Sequence, residues 1–181
     1  MVDIVHSPTE FLTEIIEQAI DRHQASVSRQ TRKYLVEMLQ QFFNAPPAHD
    51  EPITFRYQKT LQETYRLRQQ QLQRELGDHC LFLVGYFYDF VRQKGSSNVC
   101  YYSQIGSAAY QEAGKYPFAE ISREFEKLYL VIGDLHLPEL NTEEKVMDIY
   151  GRWLKTGGDK YYESLLLGKG IIPQKIKLDN N

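Results

Sequence analysis

Apolar positions recur at helical spacing along most of the chain. Ser7-Pro8-Thr9-Glu10 reads as a helix start. Ser7 can cap, Pro8 fits the first helical position, and Glu10 completes a capping box. Phe11, Ile15, Ile16, Ala19 and Ile20 then share one face, which predicts a helix to about His23. Ser28 opens a second helix carrying Tyr34, Leu35, Met38, Leu39, Phe42 and Phe43, and Asn44-Ala45-Pro46-Pro47 stops it. Residues 44–54, with three prolines and the pair Asp50-Glu51, read as loop. The first two helices are expected to form an antiparallel hairpin.

A third helix is expected from about Phe55 to Leu76. It carries six glutamines and five basic residues against two acids. Its apolar seam is narrow: Leu61, Tyr65, Leu72 and Leu76. Such a helix lies outside a bundle, or projects and pairs.

The stretch Asp78–Val91 differs in kind. From Leu81 to Tyr88 no residue is charged, and apolar side chains fall on every helical face. A helix apolar all round must be enclosed by other elements. The run is too short for a bilayer, which needs about 20 apolar residues. The expectation is a buried central helix over about 78–93, capped by Asp78 after Gly77 and closed by Arg92, Lys94 and Gly95. Asn98 can cap the next helix, with Tyr101, Tyr102, Ile105, Ala108, Ala109 and Tyr110. Gly85 and Gly106 are read as points of close approach between these two helices, since a glycine inside a helix costs about 1 kcal/mol against alanine.

Pro117 opens a long helix through Phe118, Ile121, Phe125, Leu128, Tyr129, Ile132 and Leu135. Thr142 starts another, with Val146, Met147, Tyr150, Trp153 and Leu154, and Gly157-Gly158 breaks it. A short helix from Asp159 to Leu167 and an extended tail, 171–181, complete the chain. The fold expected is all-α: a single-domain bundle of seven to eight helices around the central one.

Composition changes this picture little. The chain has 181 residues, 42% hydrophobic and 25% charged, which suits one globular domain. A net charge of −3 gives no general attraction to nucleic acid or anionic lipid. Residues 120–148 hold eight acids against three basic residues, opposite in sign to the third helix, so the two segments could attract within a molecule or across a dimer. The N-terminal residues lack a basic region followed by an apolar stretch, so no secretory signal is expected. Cys80 and Cys100, both in apolar or aromatic surroundings, are expected to be buried free thiols of a cytoplasmic protein, with a disulfide open to them only if the two segments pack side by side. Thirteen tyrosines, each needing a hydroxyl partner when buried, point to a polar-lined cavity or a partner surface.

Chemical motifs are mostly missing. None of His6, His23, His49, His79 and His136 follows a glutamate by three residues, so the di-iron bundle pattern is absent. No His-Glu-x-x-His, Cys-x-x-Cys, Walker, Rossmann or Gly-x-Ser-x-Gly motif occurs. No metal, cofactor or catalytic residue is assigned. The basic third helix follows a long proline-containing loop, which argues against a helix-turn-helix reader. One constellation stands out. Asp78 and His79 open the central helix, and Tyr86 shares the Asp78 face. Tyr102 and Tyr110 could point into the same space, and these five residues are the candidate ligand-binding set.

The segments Gly77–Phe87 and Tyr101–Tyr110 resemble an uncharacterised bacterial all-helical family with a Gly-Asp-x-x-Leu-Phe-Leu-x-Gly-x-Phe segment followed by Tyr-Tyr-x-x-x-Gly-x-x-Ala-Tyr. The resemblance covers about a fifth of the chain. It implies a bacterial, cytosolic, all-helical protein and brings no activity. The function expected first is a non-enzymatic interaction or regulatory protein that forms a homodimer or engages a protein partner, away from membranes and nucleic acid. The alternative is a small-molecule binder or sensor with a pocket between the central helix and the next. A second alternative is an enzyme using Asp78 or His79 of that pocket as acid or base.

Overall fold

The computed structural model describes residues 7–46 and 51–174, and of Ser96 the backbone. Pro47–Asp50, the last seven residues of the expected tail, and the N-terminal segment with His6 lie outside the described residues. Every regular element among the described residues is helical: ten α-helices and one 3-10 helix. Eight of the ten are seven residues or longer. The chain divides into two compact units, Met1–Ile132 and Gly133–Asn181.

The first unit begins as its sequence suggests. Helix α1 (Pro8–Arg22) carries the full capping box: Ser7 Oγ accepts from the Glu10 amide at 3.2 Å, and the Ser7 amide donates to Glu10 Oε2 at 2.9 Å. Helix α2 (Arg29–Asn44) is capped by Ser28 and packs beside α1. Its entry is held from a distance. Glu120 accepts from the Ser28 amide at 2.9 Å and from the Thr31 hydroxyl at 2.6 Å, and Glu124 accepts from the Ser26 amide at 3.2 Å. Two acids of the acid-rich stretch therefore serve the fold internally.

The long third helix does not exist as one piece. Helix α3 (Ile53–Gln62) ends at Glu63, and α4 (Arg66–Tyr86) starts anew and packs against it. Two glutamine contacts explain the fold-back. Gln69 Nε2 donates to the Thr60 carbonyl at 3.1 Å, and Gln73 Nε2 to the Thr60 hydroxyl at 3.0 Å. Gln73 and Thr60 are buried, so the glutamine-rich face is not wholly a solvated one.

Asp78 is not a cap. Helix α4 runs through Gly77 and Asp78 without a break, and everything from Leu76 to Gly85 is buried. The glycine read as a helix end is instead a notch: a Cβ on Gly77 would lie 2.9 Å from the Tyr110 ring. The central helix stops early, at Phe87, and a short α5 (Tyr88–Gln93) follows. Helix α6 (Ser96–Ala113) is capped by Gly95 at φ 147°, a conformation that favours glycine, and not by Asn98.

Helices α4 and α6 form the main packing contact of this unit. A Cβ on Gly106 would meet Cys80 Cβ and the Phe125 ring at 2.7 Å. Gly85 is also a close-approach site, but its partner is Ile132, 2.6 Å from a built Cβ, rather than Gly106. The expected helix from Pro117 is divided into α7 (Phe118–Arg123) and α8 (Phe125–Gly133).

In the second unit, the 3-10 helix Asp134–Glu139 takes up the chain that periodicity assigned to the end of the preceding helix. Helix α9 (Glu143–Lys155) is capped by Thr142, and α10 (Lys160–Gly168) by Asp159. Trp153, Ile149, Tyr161, Leu165 and Leu166 form its core, and the Tyr161 ring packs against Gly133.

Candidate functional site

Asp78 is the centre of a buried polar cluster in the first unit. Its Oδ1 accepts from Tyr34 Oη at 2.5 Å and from Tyr110 Oη at 2.7 Å. Tyr34 comes from α2 and Tyr110 from α6, so three helices meet on one carboxylate oxygen. The other oxygen, Oδ2, lies 3.7 Å from Arg74 Nε and takes no hydrogen bond from a described residue. Arg74 stands one helical turn before Asp78, where an i, i+4 pair can meet. Its Nε donates to Tyr34 Oη at 3.0 Å, and its guanidinium sits 5.2 Å above the Tyr34 ring.

The charge states follow from these contacts. Burial raises the Tyr34 and Tyr110 hydroxyls above the ordinary phenol value, and the neighbouring Asp78 charge raises them further. Both remain neutral donors. Burial pushes Asp78 upward too, against the pull of the two hydroxyls and Arg74, and its carboxyl stays above the usual value. Arg74 keeps its charge.

A pocket of about 330 Å³ opens at this carboxylate. Gln71, Arg74, Glu75 and Asp78 line it from α4 at i, i+3, i+4 and i+7, one face of the helix. His79 joins them, α2 contributes Gln41 and Phe42, and α3 contributes Arg56. The break between α3 and α4 is what brings Arg56 back over the central helix.

This is not the cavity expected from the sequence. Between α4 and α6 the Tyr110 ring, Cys80 and Phe125 fill the space at Gly77 and Gly106. Of the five candidate residues, the structure joins Asp78 and Tyr110 directly and puts His79 at the same pocket. Tyr86 and Tyr102 do not line it. Tyr86 belongs to an aromatic cluster, stacked 5.5 Å from Phe82 and edge-on to Phe43 at 5.2 Å. Tyr102 is half-buried beside Tyr101, and burial raises its hydroxyl. Tyr34, Arg74 and Arg56 were missed. Tyr34 reads as one more apolar position of α2. The Arg74–Asp78 spacing was a usable signal, hidden by the expectation that a helix begins at Asp78.

Among the described residues no group of three or more His, Cys, Asp or Glu is placed to hold a metal ion. No helix of those residues is long and apolar enough to cross a membrane. No protein-family model, curated protein or solved structure matches the chain.

Proposed function

We propose that this chain is a small-molecule binding protein whose site is the pocket between α2, α3 and α4. The observation that carries this reading is Asp78: a buried carboxylate with one oxygen clamped by two tyrosines and the other left beside Arg74 at the pocket. Stability alone does not favour such a group. A buried charge loses several kcal/mol of hydration, and an apolar residue of similar size is often as stable or more so. Buried carboxylates with specific partners, set in a cleft, concentrate at functional sites. The volume stands at the small end of the range of about 300–1,000 Å³ for ligand pockets, which suits a metabolite and not a dinucleotide. The test is equilibrium dialysis of the protein against a small-molecule extract of its host, with mass detection. A compound retained by the wild-type protein and lost in Arg74→Gln supports the reading. Retention of nothing above a control protein refutes it.

A second reading, self-association as a homodimer, rests on another observation. Leu61, Tyr65 and Leu67 flank the α3–α4 elbow and are 60%, 79% and 83% exposed. Large exposed side chains of this kind favour an interface. Light scattering on the wild type and on Tyr65→Ser/Leu67→Ser decides it: a dimer that the substitutions dissociate supports it, and a monomer in both removes it. Cys80 and Cys100 are free thiols, which supports the cytoplasmic location expected from the sequence.

A further inference from the structure

We infer that the ligand of the α2–α3–α4 pocket is a free α-amino acid, held through both of its charges. The inference rests on the small-molecule reading and deepens it. Arg56 and Arg74 line the pocket with positive charge, Glu75 and Asp78 with negative charge, and Arg56 also pairs with Glu51 at 3.9 Å. A purely anionic ligand would face two carboxylates, and a purely cationic one two guanidiniums. A ligand bearing both charges meets each of them with its opposite.

The spacing narrows the class. Arg74 Nε and Asp78 Oδ2 stand 3.7 Å apart, side by side on one turn of α4. Their complement is an ammonium and a carboxylate carried close together, as on one carbon atom. Asp78 Oδ2 is the acceptor for the ammonium, since its partner Oδ1 is already engaged by Tyr34 and Tyr110. Glu75 supplies a second acceptor: its Oε1 takes a bond from Gln71 at 2.9 Å, while Oε2 takes none from a described residue. Arg74 uses Nε and its planar face within the protein, which leaves the two Nη groups for a carboxylate. Phe42 gives the pocket an apolar wall, itself backed by Phe82 at 4.7 Å, against which the ligand's side chain lies.

The probes are the proteinogenic L-amino acids, each added at millimolar concentration to the full-length protein while its thermal midpoint is read. For each that raises the midpoint, the analogues lacking the amino group or the carboxyl group are titrated by calorimetry. The expected result is at least one binding amino acid, with either deletion weakening it about tenfold or more, the worth of one charge-assisted hydrogen bond. Arg74→Gln weakens the amino acid and its amino-less analogue and spares the carboxyl-less one. Asp78→Asn gives the opposite pattern. Glu75→Gln, on the exposed rim, repeats that pattern more weakly and serves if Asp78→Asn does not fold. No midpoint shift with any amino acid overturns the inference, as does an analogue of single charge binding as well as the parent. A different compound retained from the host extract and lost in Arg74→Gln leaves the pocket reading standing while the amino-acid assignment falls.

Discussion

Tyr110→Phe removes a single oxygen and leaves the ring that fills the notch at Gly77. The hydroxyl is fully buried and donates to Asp78 Oδ1 at 2.7 Å. A hydrogen bond to a charged acceptor contributes about 1.5–3 kcal/mol, and one between neutral groups about 1 kcal/mol. The loss therefore depends on the charge of Asp78. Burial holds the Asp78 carboxyl above its ordinary value despite Tyr34, Tyr110 and Arg74. A carboxyl whose folded value is raised stabilises the fold most when protonated, below its unfolded value of about 3.9, and that stability is lost as pH rises through the folded value. Removing one donor raises Asp78 further and widens this window. Tyr110→Phe is thus expected to cost about 1 kcal/mol in acid and about 1.5–3 kcal/mol at neutral pH. The assay is hydrogen exchange of the α4 amides under a urea series at several pH values. The single tryptophan, Trp153, belongs to the other unit, so its fluorescence does not serve. Unchanged stability at neutral pH, or a loss that does not vary with pH, would refute the reasoning.

Gly106→Ala is expected to destabilise by about 1–3 kcal/mol, because its Cβ meets Cys80 and Phe125 at 2.7 Å and overpacking outweighs the helix-propensity gain of about 1 kcal/mol; a midpoint equal to or above wild type in urea would contradict the packing. Burial pulls Glu120 and Glu124 upward, but bonds from Thr31, Ser28, Ser26 and Lys127 outweigh it and hold both below the ordinary value. Their contribution is complete above about pH 4.3 and is lost as pH falls through the folded values, so Glu120→Gln should flatten the acid limb of a stability–pH curve. Burial raises the Cys80 thiol, whereas Cys100 is exposed. A thiol reagent should therefore label Cys100 in the folded protein, and Cys80 only after unfolding.

Local signals carried most of the architecture. Ser7, Ser28, Thr142 and Asp159 cap helices through bonds spanning two or three residues, so the chemistry that starts each helix is contained in a few adjacent letters. The errors came where a residue answers to a distant partner. Gly77 followed by Asp78 looks like the end of one helix and the cap of the next. The glycine is there for the Tyr110 ring, thirty-three positions away. The α3–α4 break carries neither glycine nor proline, and the Thr60 bonds of Gln69 and Gln73 that hold it span nine and thirteen residues. The aspartate and one tyrosine of the cluster were visible as candidates. Their real geometry was not, because the pocket needs α3 folded back over α4 and a tyrosine that periodicity counts as core.

The most direct test of a ligand-holding pocket at Asp78 is native mass spectrometry of the intact protein purified from its own host, beside Arg74→Gln prepared in the same way. The expected result is a non-covalent small-molecule adduct on the wild-type chain that is absent from the variant. The adduct's mass tests the amino-acid assignment at once, and the subunit count tests self-association. A bare wild-type chain that gains no mass when amino acids and host extract are added would contradict the account.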